Sequence, residues 1–251
     1  TKHTKDIIKL MNLKDKFNVV VVFDDIPAFY DIHKKGIFKA LQDYNTFLKH
    51  IRNNRVKELL FEKTDYRSII VSFLTTAKVH QTDAATPNIY ERRKYNIEKA
   101  YNKKIELDRY PLQLKNHNVI VINPLTRQEF RNIKSNHLKY IIDALTKSSY
   151  EIYLIDIEKR YPEFENKVPY YLTNTTLEDV KALISKCDLY IGADSFLIHL
   201  AYYLRKNYFM IFYRDNDDFL PPNVSNDFYI KANESSNFNK DLKTKFQNIA
   251  L

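Results

Sequence analysis

The stretch TLEDVKALISKCDLYIGADSFLIHLAYYL, residues 176–204, decides the fold of this 251-residue chain. Its first ten residues carry apolar side chains at helical spacing. Asp188 to Ile191 is a short apolar run typical of a buried strand, and Ser195 to Leu204 is again helical. We therefore predict a helix, a strand and a second helix. Gly192, one of only two glycines, is predicted to permit a tight turn after the strand.

The same alternation continues on both sides of this stretch. Further apolar runs are NVIVI at 118–122, YEIYLI at 150–155 and YFMIF at 208–212, with a helical pattern at 135–146. Buried strands that alternate with helices predict a parallel sheet covered on both faces. Ligands of such sheets bind beyond the carboxyl ends of the strands, so functional residues are expected directly after each strand.

The first half of the chain contains weaker elements of the same kind. The predicted elements are a strand at 18–23, a helix at 37–51, a strand at 56–61, a helix at 66–74, a strand at 78–81 and a helix at 88–104. A polar connector at 109–118, which contains Pro111, is the predicted linker. The sequence therefore predicts two α/β domains.

Composition excludes several classes of protein. The chain is 44% hydrophobic and 14% aromatic, which supports a packed core and argues against general disorder. Cys187 is the single cysteine, so no intramolecular disulfide forms and a reducing compartment is expected. No apolar run approaches the roughly 18 residues of a membrane span. The opening TKHTKDIIKL lacks the apolar stretch of a signal peptide.

The net charge of +9 lies in the first half of the chain. Residues 1–115 carry 23 Lys and Arg against 14 Asp and Glu, whereas residues 116–251 carry 17 of each. A basic surface attracts nucleic acid, anionic lipid or a phosphorylated glycan, although a solvated lysine-rich surface has the same composition. Residues 90–104 interleave basic and aromatic side chains loosely, as nucleic-acid platforms do, but match no known motif.

Polar residues follow the strand that ends at Ile191. Asp194 and Ser195 stand at a helix start, where either side chain caps the backbone. The free N–H groups and positive dipole end of a helix N-terminus suit a phosphate. His199 lies one turn later on the same face as Ser195. An ordinary capped helix with a satisfied histidine explains the same pattern.

The loop after NVIVI is the second candidate. It reads NPLTRQEFR, residues 123–131, so the hydroxyl of Thr126 and the guanidinium groups of Arg127 and Arg131 follow a strand end. Guanidinium groups match phosphate geometry well, although a solvated loop is the alternative. No His, Cys or acidic cluster has metal-ligand spacing, so we predict no metal site.

Together these segments resemble glycosyltransferase family 9, the bacterial heptosyltransferase family. NPLTRQEFRN takes the place of the family's H-P-G-A…K-R-W loop, and residues 176–204 follow its long helix–strand–helix pattern through D-[ST]-G-x-x-H. The similarity is good over 118–222 and weaker over 55–100. It implies an α/β, GT-B-like fold of two Rossmann-like domains facing a cleft. The N-terminal domain, 1–113, would be reduced or truncated and bind the acceptor, and 114–251 would bind a nucleotide sugar.

The resemblance also implies roles for the residues around the second helix. Asp194 would hydrogen-bond the donor sugar. Ser195 and the N–H groups that follow it would hold the diphosphate, with Phe196 in place of the family's glycine. Gly192 and His199 would support this donor site.

Two further groups of residues receive roles from the resemblance. Thr126 and Arg131 align with the hydroxyl and basic residues that hold the donor phosphate in the family. The family's catalytic base is an aspartate in a G-D loop. This sequence shows no such loop, so either it lies upstream of Thr1 or the protein has dispensed with it. Asp24 and Asp25, which follow the predicted strand at 18–23, are the substitutes that the sequence offers.

The implied function is inverting, metal-independent transfer of a heptose-like sugar to lipopolysaccharide or another surface glycan. The donor would be ADP-heptose or another nucleotide-diphosphate sugar, with no cofactor. The basic first half would face an anionic glycolipid, which implies a bacterial cytoplasmic protein peripheral to the inner membrane leaflet, with no nucleic-acid partner. A non-catalytic glycosyltransferase-like binding protein and a nucleic-acid-binding protein are the alternatives.

Overall fold

The computed structural model describes residues 36–53, 55–61, 66–81, 88–102, 104, 118–213, 217–221, 228–233, 235 and 237–248. The chain divides into two compact units, Thr1–Leu107 and Asp108–Leu251. The predicted boundary between residues 113 and 114 falls outside the described residues, as do Asp24 and Asp25. That boundary and the two acids therefore stay predictions.

The N-terminal unit contains a small βαβ arrangement. Its described elements are α1 (Ile37–Asn53), β1 (Glu58–Phe61), α2 (Tyr66–Leu74), β2 (Lys78–Gln81) and α3 (Ile89–Tyr101). β1 and β2 pair in parallel, and α2 is the connection between them. Tyr44, Ile51, Val71 and Ala77 form a small buried core. The helices and strands predicted between residues 37 and 104 are confirmed within a few residues.

The C-terminal unit is built on a larger sheet. Its elements are β3 (Val119–Asn123), α4 (Ser135–Leu145), β4 (Glu151–Ile155), β5 (Tyr170–Leu172), α5 (Leu177–Lys186), β6 (Leu189–Ala193), α6 (Phe196–Tyr203), β7 (Asn207–Phe212), β8 (Tyr229–Lys231) and α7 (Phe238–Asn248). All six strands are parallel, in the order β5-β4-β3-β6-β7-β8. The predicted parallel sheet is confirmed.

The central strands are the most deeply buried part of the chain. Every residue of β6 and β7 is buried, as are the last four residues of β3. Strands covered on both faces read as continuous apolar runs, which is why the sequence marked these three so clearly. Among the described helices, none is both long and apolar enough to span a membrane.

The strand order reverses between β3 and β6. From β3 the chain moves outward through β4 to β5, and it then returns to build β6, β7 and β8 on the other side. This is the strand order of a dinucleotide-binding sheet, in which ligands occupy the crevice at the reversal point. Asn123 and Gly192 face each other in register there, near the carboxyl ends of β3 and β6. The topology therefore indicates where a ligand would lie.

Candidate functional site

A cavity of about 470 Å³ opens at this reversal point. It is lined by the loop at 123–131, by Ile157 and Glu158, and by the segment 194–197. These segments follow β3, β4 and β6 respectively, so the cavity lies at the carboxyl edge of the sheet. The structure therefore brings most of the predicted donor-site residues to one place, namely Thr126, Arg131, Asp194, Ser195 and Phe196.

The N-terminus of α6 forms one wall of the cavity. Ser195 is its N-cap residue, with extended backbone, and its Oγ accepts a hydrogen bond of 3.3 Å from the N–H of Leu197. Phe196 and Leu197, the next two residues, also line the cavity. The positive end of the α6 dipole therefore lies at the cavity wall, where it favours an anion.

An ion pair in the cavity lining joins the β3 loop to the residue two positions before α6. Nη1 of Arg131 lies 3.4 Å from Oδ2 of Asp194, and the two side chains are 31% and 10% exposed. Among the described residues, the buried Nε of Arg131 has no hydrogen-bond partner. The contact with Asp194 thus positions the Arg131 guanidinium, while its Nε–H group is left without an acceptor among the described residues. Such a group can bind an anionic oxygen.

Side-chain hydrogen bonds give the β3 loop its shape. Oγ1 of Thr126 donates to the carbonyl of Gln128 at 2.7 Å and accepts from the N–H of Gln128 at 3.1 Å. The N–H of Thr126 donates to Oδ1 of Asn132, and Oδ1 of Asn123 accepts from the N–H of Leu125. The Thr126 hydroxyl therefore holds the loop, and direct contact with a phosphate would require its bond to the Gln128 carbonyl to break.

Gly192 serves a different purpose from the one predicted. It lies inside β6 and not in a turn. A Cβ built on Gly192 would lie 2.7 Å from Cε1 and Oη of Tyr190, far closer than a real Cβ contact. The glycine is therefore needed because the Tyr190 ring packs over it. The prediction of a tight turn at Gly192 was wrong, since β6 continues to Ala193 and the chain bends only after the strand, at Asp194 and Ser195.

His199 does not reach the cavity. It lies half-buried one turn into α6, and it is not among the described residues that line the cavity. In the parts of the chain that the structure describes, no three His, Cys, Asp or Glu side chains are grouped to hold a metal ion.

Sequence reasoning missed the loop after β4. Ile157, which is 53% exposed, and Glu158 line the cavity opposite the start of α6. Arg160 joins this loop to the β3 loop, because its Nη1 lies 2.6 Å from Oε1 of Glu129. The signal was available, since these residues directly follow the predicted strand YEIYLI, where the carboxyl-end rule places ligand contacts.

A buried carboxylate holds the β4 loop in position. Asp156 is fully buried and accepts hydrogen bonds from the N–H of Arg160 at 3.0 Å, the N–H of Tyr161 at 2.7 Å and Oη of Tyr171 at 2.6 Å. Burial, and then the bond to Asp156, raises the pKa of Tyr171. Burial likewise raises the pKa of Tyr161 to about 12. Both phenols therefore stay neutral beside the carboxylate at ordinary pH.

Comparison with protein families shows which family the chain belongs to. The sequence model of glycosyltransferase family 9 (heptosyltransferase) matches residues 62–250, which is most of the chain. The chain belongs to glycosyltransferase family 9. The family predicted from the sequence motifs is thus confirmed, and the cavity lies inside the matched segment.

Solved structures agree with this assignment at the level of the fold. E. coli heptosyltransferase WaaC with ADP-2-deoxy-2-fluoro heptose matches with a TM-score of 0.56 and 18% identity, over 77% of this chain and 65% of that one. E. coli ADP-heptose lps heptosyltransferase II matches with a TM-score of 0.54 and 15% identity, over 84% of this chain and 82% of that one.

These matches confirm the predicted α/β, GT-B-like fold class. The chain spans less than two thirds of the length of WaaC. A search of curated proteins found no match.

Proposed function

We propose that this chain is a glycosyltransferase that binds a nucleotide-diphosphate sugar in the cavity between the β3 loop and α6. The observation that carries the proposal is the Arg131–Asp194 pair beside the N-terminus of α6, at the reversal point of the sheet. A guanidinium and a helix N-terminus together suit a diphosphate. The fold likeness to a heptosyltransferase solved with an ADP-heptose analogue supports an ADP-sugar as the donor.

We propose that the parts of such a donor occupy the cavity in a definite order. We propose that the diphosphate lies against Arg131 and the start of α6, and that Asp194 accepts hydrogen bonds from the sugar hydroxyls. The nucleoside would then extend towards the β4 loop. Ile157 offers an apolar surface for the base, and the Glu158 carboxylate offers an acceptor for ribose hydroxyls.

The proposed chemistry is inverting transfer. The acceptor hydroxyl oxygen attacks the anomeric carbon, a base removes its proton, and the nucleoside diphosphate departs with the bonding electrons. Arg131 and the dipole of α6 would stabilise the negative charge that develops on the leaving diphosphate. Since these groups supply positive charge, we propose that transfer needs no metal ion. Asp24 and Asp25 are the proposed candidates for the base.

The donor proposal is tested by thermal shift with a panel of nucleoside diphosphates and nucleotide sugars. A ligand that binds only the folded chain at 100 times its Kd stabilises it by about 2.7 kcal/mol, so ADP or an ADP-sugar is expected to raise Tm clearly. The same shift is expected in EDTA. Absence of a shift with every nucleoside diphosphate would contradict the proposal, while binding without sugar transfer would support the non-catalytic alternative.

We further propose that the acceptor is an anionic glycolipid at the inner membrane leaflet. The support is the excess of nine positive charges in residues 1–115. Each Lys or Arg near an anionic surface contributes about 1 kcal/mol, and the attraction fades within a Debye length of about 8–10 Å. An anionic glycolipid surface therefore suits this part of the chain better than a single small ligand.

Cosedimentation with anionic vesicles tests the acceptor proposal. Binding is expected at low salt and should fall sharply as salt rises to the physiological range, because the attraction is screened. Neutral phosphatidylcholine vesicles serve as the control, and ADP binding should change much less over the same salt range. If anionic vesicles do not bind at low salt, the charge excess has no role in acceptor binding.

A further inference from the structure

Tyr190 carries a hydroxyl that the described structure leaves without a partner. The residue lies in β6 and is fully buried, and its Oη makes no hydrogen bond within the described residues. Buried polar groups in native proteins are nearly always paired, because an unpaired group forfeits its bonds to water. The orphan hydroxyl therefore calls for an explanation.

The side chain of Tyr190 delivers its hydroxyl to the carboxyl edge of the sheet. Residues two apart on a strand face the same side, so Tyr190 and Gly192 share a face of β6. The ring leans along the strand until its Oη lies 2.7 Å from where a Cβ of Gly192 would be. The missing side chain at Gly192 thus makes the space that the phenol occupies, two residues closer to the cavity than its own backbone.

The Tyr190 hydroxyl lies near two residues that line the cavity. Asn123 is the register partner of Gly192, and Ser195 is the N-cap of α6. Both line the cavity, and both side chains are near enough to the Tyr190 hydroxyl to lower its pKa, although neither forms a hydrogen bond with it among the described residues. Tyr190 is not itself among the described lining residues, so the unpaired donor lies behind them, close to the helix N-terminus proposed to hold the diphosphate.

We propose that Tyr190 is a further binding residue of this site, whose hydroxyl donates a hydrogen bond to an anionic oxygen of the donor diphosphate, directly or through one bound water. The inference rests on the proposed function. It also gives Gly192 a role, since any side chain at that position would displace the Tyr190 phenol from its place behind the cavity lining.

The chemistry of the buried phenol suits this role. Burial raises the pKa of Tyr190, with the nearby Ser195 and Asn123 side chains acting in the opposite direction, so the group stays protonated and remains a donor. A donor in water-excluded surroundings gains most from an ionised acceptor, because charge-assisted hydrogen bonds are shorter and stronger than neutral ones. A diphosphate oxygen meets that requirement.

Titration calorimetry of Tyr190→Phe with ADP and with adenosine tests the inference. The variant removes only the hydroxyl, so ADP is expected to bind about tenfold more weakly while adenosine affinity is unchanged. The Tm without ligand should not fall, because the deleted hydroxyl has no hydrogen-bond partner in the described part of the chain. Tyr208→Phe is the matched control, since Tyr208 is a buried tyrosine opposite Tyr190 on β7 and does not line the cavity.

The possible results separate this inference from the function on which it rests. If wild-type protein binds ADP and Tyr190→Phe binds it equally well, the hydroxyl has no part in binding and the inference is overturned. An equal loss for ADP and adenosine would also overturn it, since the effect would not depend on the diphosphate. If wild-type protein binds no nucleoside diphosphate, the proposed function itself fails.

Discussion

Replacement of Arg131 with alanine is expected to weaken the binding of ADP by about 10- to 100-fold. A hydrogen bond to a charged group contributes about 1.5–3 kcal/mol, which corresponds to that loss of affinity. The substitution also leaves Asp194 in the cavity wall without its cation, so the site becomes more repulsive to an anion. The fold should survive, because the Arg131 side chain is 31% exposed and its contact with Asp194 is long, at 3.4 Å.

Titration calorimetry with ADP measures the effect of Arg131→Ala. Arg131→Lys keeps the charge but loses the planar fork, so its affinity should fall between those of wild type and the alanine variant. Lys147→Ala is the control, since Lys147 is an exposed basic residue in the turn after α4 and does not line the cavity. Unchanged ADP affinity in Arg131→Ala would remove the main support for the proposed donor site.

Replacement of Asp156 with alanine is expected to cause the largest loss of stability, about 3–5 kcal/mol. Its carboxylate is fully buried and accepts three hydrogen bonds, two from backbone N–H groups and one from the hydroxyl of Tyr171. Alanine would leave all three donors without their acceptor, and each unpaired buried donor costs about 1–3 kcal/mol. The β4 loop, which carries Ile157 and Glu158, should lose its fixed shape.

Urea unfolding followed by circular dichroism measures the stability of Asp156→Ala. Asp143→Ala is the matched control, because Asp143 is an exposed acid whose partner is Lys139 one helical turn away. Exposed pairs of this kind contribute about 0.3–0.5 kcal/mol, so the control should hardly change the unfolding midpoint. A similar small effect in Asp156→Ala would show that the three hydrogen bonds do not hold the loop.

The sequence predicted the long buried strands of the large sheet and missed its two short edge strands, because only the long strands have a clear apolar pattern of their own. The runs that became β3, β6 and β7 are buried on both faces and therefore read as continuous apolar segments. β5 and β8 are three-residue strands at the two edges of the sheet, and most of their residues are not buried. Such short strands carry too few apolar residues to stand out from loops.

Some features of the site could be predicted from local sequence, and others depend on contacts between distant segments. Ser195 is an N-cap both by sequence and in the structure, because capping depends on residues within one helical turn. The turn predicted at Gly192 was wrong, because glycine is needed there to make space for the ring of Tyr190. The sequence does not show where that ring packs. The cavity lining by Ile157 and Glu158 depends on the pairing of β3 with β4.

By itself the sequence determined the family, the α/β alternation and the helix start at Ser195, since apolar periodicity and capping act over a few residues along the chain. Only the tertiary structure decided the strand order, the reversal between β3 and β6, and the meeting of Arg131 with Asp194 across 63 positions of sequence. It also decided that the Tyr190 ring packs over Gly192 and that its buried hydroxyl has no hydrogen-bond partner among the described residues. These features arise from contacts between segments far apart in the chain, which local pattern does not encode.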